Sequence, residues 1–133
     1  RELIAGYVSN LNQCIFCSES HGAVADAHAK NIGFSRSVWN NPNLETLSDK
    51  VQAMLIVAKK VQTDARSVLS TDIEKIKALG ATERDIHDLI LIASAFCMFN
   101  RYVDDLGTSA PPRNDDAYLG MGELIATKGY IRD

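Results

Sequence analysis

The sequence predicts an all-α protein of about five helices. Three observations predict it: apolar residues recur at helical spacing in successive segments, capping residues stand where those segments begin, and strand signals are weak. There is no sustained alternation of period two and no Asn-Gly or Asp-Gly hairpin. The 133 residues suit one domain, long enough to bury a core without disulfide staples or structural metals.

Residues 1–11 read as the closing part of a helix. Leu3, Ile4, Tyr7, Val8 and Leu11 fall at helical spacing, and Asn10 and Asn12 mark the exit. A second helix starts near Cys14 and runs to about Lys30, where Asn31 and Gly33 supply a C-terminal cap. Residues 34–46 read as a connector holding the only Trp, Trp39, and the turn signal Asn40-Asn41-Pro42-Asn43. Ser48, with Asp49 in the first turn, opens a third helix, whose Val51, Met54, Leu55, Ala58 and Val61 form one apolar stripe. Thr71-Asp72 caps a short fourth helix with Ile73, Ile76 and Leu79 inward, ended by Gly80. Thr82 with Asp85 caps a long fifth helix, about 83–106, ended by Gly107. Its middle, Leu89 to Phe99, is apolar nearly all round, which predicts burial by its own domain or by another subunit. Residues 1–107 thus form the helical domain. Residues 108–133, with Pro111-Pro112, Asp115-Asp116 and Gly120-Met121-Gly122, read as an arm or tail. Tyr118, Leu119, Leu124, Ile125, Tyr130 and Ile131 give it enough apolar content to dock.

The formal net charge is −3 and the basic residues are scattered, which argues against nucleic acid as a partner. No uninterrupted apolar run reaches the roughly 18–20 residues of a membrane span, so no membrane is expected. The chain opens on Arg1-Glu2 rather than a basic and then apolar leader, so a cytoplasmic location is expected. Residues are also expected to be missing before Arg1. Three cysteines make a poor disulfide framework, and in a reducing compartment Cys14-x-x-Cys17 reads as metal-binding or catalytic.

The informative segment is Glu2 to His28. Helical spacing puts Cys14, Cys17 and His21 on one face, with His28 two turns beyond His21, and helix packing brings Glu2 beside the cysteines. A helix N-terminus favours the thiolate, the reactive form of cysteine, and a neighbouring His or Glu can take the proton. Such a pair can reduce a peroxide through a sulfenic acid and then a disulfide. A zinc site using Cys14, Cys17 and His21 with Glu2 or His28 is the alternative. Cys97, in an apolar stretch, reads as a small core residue. Asn100-Arg101 and Asp104-Asp105 read as helix-end and interface polar groups rather than site residues.

Glu2, eleven residues, then Cys14-Ile-Phe-Cys17-Ser-Glu-Ser-His21 resembles the motif of the alkylhydroperoxidase D family, within the carboxymuconolactone decarboxylase-like superfamily. Leu79-Gly80 to Asn100-Arg101 and Leu106-Gly107 also resemble its peroxidase-related branch, so the resemblance covers about residues 2–107. It implies a helical homo-oligomer, often a trimer or hexamer, and an antioxidant peroxidase acting on hydrogen peroxide or organic hydroperoxides with an external dithiol as reductant. No cofactor or metal is implied. Cys17 is then the attacking thiol, Cys14 its disulfide partner, and Glu2 with His21 the proton relay. The family's best-known members carry a second His between the cysteines. Here Phe16 stands there and shortens the relay, while His28 is a neighbour of the site. Three rivals remain: a general disulfide oxidoreductase with little peroxidase activity, a carboxymuconolactone decarboxylase-like enzyme, and a non-catalytic subunit or binding module whose purpose is its oligomer surface.

Overall fold

The computed structural model describes residues 1–42 and 45–130. Asn43 of the expected turn and Ile131 of the expected tail lie outside the described residues. Those residues form seven α-helices and one short 3-10 turn, with no strand among them. The all-α class is as expected, and the helix count exceeds the expected five by two.

Helix α1, Glu2–Leu11, is buried on most sides, from Ile4 to Ser9. It ends at Asn12, and Gln13 turns the chain in the left-handed region, at φ 63°. The Cys14 N–H then donates to the Ser9 carbonyl at 3.0 Å, which folds the next helix back on α1. Helix α2, Ile15–Ala29, runs antiparallel to α1: Ser9 meets Cys14, Gly6 meets Gly22, and Glu2 meets His21. Gly6 and Gly22 permit the close crossing, since a Cβ on Gly6 would lie 3.2 Å from the Gly22 nitrogen.

The cap of α2 differs from expectation. Lys30, not Asn31 or Gly33, takes the left-handed conformation, at φ 51°. Gly33 instead begins helix α3, Phe34–Asn40, within the segment expected as a connector. Gly33 has no side chain with which to cap. Asp26 of α2 does so across the turn, accepting the N–H groups of Gly33 at 2.6 Å and Ser35 at 2.7 Å. Trp39 therefore rides on a helix, where its ring packs against the space a Gly22 side chain would fill.

Helix α4, Asp49–Asp64, is capped by Ser48 as predicted, and its stripe holds, with Leu55 and Ala58 fully buried. After the 3-10 turn Ala65–Ser67 comes α5, Ser70–Ala78. Its start lies earlier than predicted: Asp72 accepts the Leu69 N–H at 2.8 Å, and Thr71 is already helical. Helix α6, Glu83–Asp105, has the predicted reciprocal cap, Thr82 N–H to Asp85 at 2.9 Å and Asp85 N–H to Thr82 Oγ1 at 3.1 Å. Leu89 and Ala93 of α6 join Val8, Leu55, Val57 and Ile76 in the core.

Only part of α6 is covered within the chain. Leu91, Met98, Phe99 and Tyr102 stay exposed, so near-complete burial by its own domain does not hold. By length and composition alone α6 is apolar enough to cross a membrane, a threshold no uninterrupted run reached. In the chain it packs against α1 and α4. Asn100 is not a helix-end group but a buried clamp. It donates to Ser9 Oγ at 2.9 Å and accepts from Asn12 Nδ2 at 2.8 Å, tying α6 to the turn that leads into Cys14.

The segment expected as an arm or tail carries a further helix, α7, Asp116–Lys128, packed along α2. Gly122 makes the contact close, for a Cβ there would lie 2.6 Å from the Ala23 carbonyl carbon. Ahead of α7, Arg113 and the Asn114 N–H bind the buried Glu19 carboxylate, which Arg36 of α3 also grips at 2.9 and 3.1 Å. Glu19 thus binds α2, α3 and the approach to α7 together.

Candidate active site

Cys14 is the N-cap residue of α2 and its carbonyl accepts the Ser18 N–H at 3.0 Å. Its side chain is 0 % exposed, and Cys17, one turn on, is 6 % exposed. Both are free thiols. Burial pushes the Cys14 thiol up to about 12, and hydrogen bonding with Cys17 and with Asp104 of α6 adds to the rise.

Glu2 and His21 meet where α1 and α2 cross. Glu2 Oε2 lies 2.7 Å from His21 Nδ1, and both side chains are about four-fifths buried. Burial disfavours the Glu2 charge, but hydrogen bonds from His21 and Tyr130 outweigh it and leave the carboxyl below its ordinary range. An ionised carboxylate only accepts, so His21 carries its proton on Nδ1 and Nε2 is left unprotonated in the neutral ring. The ring edge-packs on Phe96 of α6 at 4.6 Å between centroids. Among the described residues, the hydrogen-bonding partners of His21 are Glu2 and Tyr130, and neither cysteine is one. Among the described residues, no three His, Cys, Asp or Glu side chains are grouped as a metal site would need.

No family model matches the sequence, and no curated protein matches it. Solved structures do. The chain superposes on the alkylhydroperoxidase AhpD core of a peroxidase-related protein from Ralstonia eutropha JMP134, with a TM-score of 0.79 and 28 % identity over 92 % of this chain and 62 % of that one. This is an alkylhydroperoxidase D-like superfamily member. A peroxidase-related protein from Silicibacter sp. TM1040 is similar to the same degree, with a TM-score of 0.78 and 26 % identity over 91 % of this chain and 61 % of that one. The chain thus spans about three-fifths of the length of either neighbour. A 92 % share exceeds what residues 2–107 can supply, so the alkylhydroperoxidase D-like match takes in part of 108–133.

The other residues singled out from sequence fall as follows in this alkylhydroperoxidase D-like chain. Phe16 is partly exposed between the cysteines. His28 is exposed and lines an open groove of about 510 Å³ that also borders Glu2. Cys97 is partly buried and takes a weak contact from Asn12 Nδ2 at 3.8 Å. Sequence reasoning missed Tyr130, whose hydroxyl donates to Glu2 Oε2 at 2.8 Å. It lies 128 residues from Glu2, beyond the range of any local spacing signal.

Proposed function

We propose that this chain is a thiol-dependent peroxidase. Cys17 transfers its proton toward His21 Nε2, and the thiolate attacks one oxygen of a hydroperoxide. The O–O bond breaks, the leaving alkoxide takes up the proton as an alcohol, and Cys17 becomes a sulfenic acid. The Cys14 thiol condenses with it, giving the Cys14–Cys17 disulfide and water. An external dithiol reduces the disulfide by exchange and returns both thiols. Glu2 fixes the His21 tautomer and balances the imidazolium while it holds the proton.

The observation that carries this reading is the Glu2–His21 pair at 2.7 Å, four residues along α2 from Cys17. The near-complete burial of both thiols supports a small peroxide over a protein disulfide as oxidant. The exposed Met98, Phe99 and Tyr102 of α6 support association with further copies of the chain, in the trimer or hexamer that the family resemblance implies. A cytoplasmic location belongs to the same proposal, since free thiols need a reducing compartment.

The test is thiol loss on adding one equivalent of hydrogen peroxide or cumene hydroperoxide, followed by stopped flow and intact mass. Rapid loss of two thiols with a mass decrease of about two hydrogens is expected, from disulfide closure. The Cys14→Ser protein is expected to accumulate a sulfenic acid and Cys17→Ser to form none. Oxidation no faster than that of a free thiol overturns the peroxidase reading in favour of a disulfide exchanger.

A further inference from the structure

Helix α7 does more than cover α2. Past its end the chain turns at Gly129, in the left-handed region at φ 75°, and the next residue, Tyr130, comes back over the α1–α2 crossing. Its hydroxyl donates to Glu2 Oε2 at 2.8 Å and lies 3.3 Å from His21 Nδ1. The phenol ring leans over the imidazole, with centroids 6.4 Å apart. Three polar groups from the start, the second helix and the far end of the chain therefore meet at one point.

We propose that Tyr130 is a positioning residue of the site, whose hydroxyl holds the Glu2 carboxylate against His21 Nδ1 and so keeps Nε2 as the nitrogen that exchanges protons. The chemistry requires a second donor at this place. Glu2 is largely buried, and burial alone would favour its neutral acid. A neutral Glu2 could donate to His21 as well as accept, and the tautomer would no longer be fixed. The Arg1 α-amino group adds a weaker attraction to the Glu2 carboxylate. The Arg1 guanidinium is bound to Asp88 of α6, His28 of α2 lies along the adjoining groove, and Phe96 of α6 packs its apolar ring against His21. The phenol of Tyr130 is itself pushed above its ordinary range by burial and by Glu2, so it remains a donor at every working pH.

The significance of Tyr130 for catalysis rests on the peroxidase reading, and the test separates the two. Tyr130→Phe keeps the ring and removes the donor. Glu2, labelled at its carboxyl carbon, would be titrated by NMR in the wild type and in Tyr130→Phe. Peroxide-driven thiol loss would be followed in parallel across pH. The expected result is a Glu2 titration moved to higher pH, with the acid limb of the rate profile moving the same way and a rate at neutral pH lower by about fivefold, the worth of one modest hydrogen bond. In a Glu2→Gln background the same Tyr130→Phe change should have no further effect on rate. An unmoved Glu2 titration in a protein that keeps its helical circular dichroism overturns the positioning role, as does a fully additive rate loss in the double variant. If the titration moves while neither protein outpaces a free thiol toward peroxide, the positioning role stands and the peroxidase reading falls.

Discussion

Cys14 hydrogen-bonds with Cys17 one turn on, and the two are unequally buried: the first closes the N-terminus of α2 with no exposed surface, and the second keeps 6 %. The two thiols of the pair are therefore unequal before any reagent arrives. In the Cys17→Ser protein, Cys14 should react with iodoacetamide at pH 8 at least about a hundredfold more slowly than a free thiol, because the thiolate is nearly absent. In the Cys14→Ser protein, Cys17 should be modified much faster than that. Peptide mass mapping over time gives both rates, and equal labelling would contradict the asymmetry.

The raised thiol also sets an alkaline limit on stability. Cys14, Tyr7 and Tyr118 are all pushed above their ordinary values by burial, so the unfolded chain releases these protons at lower pH than the folded one. The contribution of Cys14 is complete below its ordinary value of 9.0 and is lost as pH rises toward about 12, and the two tyrosines act in the same direction from above 10.0. Denaturant midpoints measured across that window should fall, and fall less in Cys14→Ser. Parallel curves for the two proteins would remove Cys14 from the account.

Gly122 tests the docking of α7. The atom nearest a Cβ there is the Ala23 backbone, which cannot swing aside. Gly122→Ala should cost about 1–3 kcal/mol and open residues 108–130 to proteolysis. Gly120 has open space around it, so Gly120→Ala should be neutral or stabilise slightly through helix propensity, by at most about 1 kcal/mol. Urea midpoints and limited proteolysis on the pair separate close packing from any general effect of losing a glycine.

Glu19 presents a buried carboxylate with two cationic partners, each partly in water. Replacing either Arg36 or Arg113 by Ala leaves the other in place and should cost about 1 kcal/mol, given that exposure. Replacing both strands a buried charge, and the combined loss should exceed the sum of the single losses, reaching about 3–5 kcal/mol. Thermal melts of the four proteins complete the cycle.

Much of this was legible in the sequence, for physical reasons that differ by element. The caps of α4 and α6 are local, Ser48 and Thr82 with Asp85, and local signals survive in sequence. The spacing of Cys14, Cys17 and His21 needed only a helix to become a face. That Glu2 would reach His21 required the crossing of α1 and α2, which the family resemblance implied and the small residues Gly6 and Gly22 make possible. Helix α7 went unread because Pro111-Pro112 and Gly120-Met121-Gly122 resemble breakers. Gly122 serves close packing instead, a purpose that shows only with Ala23 beside it. Tyr130 was read as an apolar anchor because its partners lie at the other end of the chain.

The cap that α3 borrows from Asp26 makes the helix depend on its predecessor. A seven-residue helix is far too short to persist alone in water. The Phe34 N–H donates to the Asn31 carbonyl, but the N–H groups of Gly33 and Ser35 depend on the carboxylate that the final turn of α2 presents. Helix α3 is thus expected to form after α2, on which it leans for a cap. Because the only tryptophan of the chain sits on it, indole fluorescence would report when α3 docks, while circular dichroism follows helix formation as a whole.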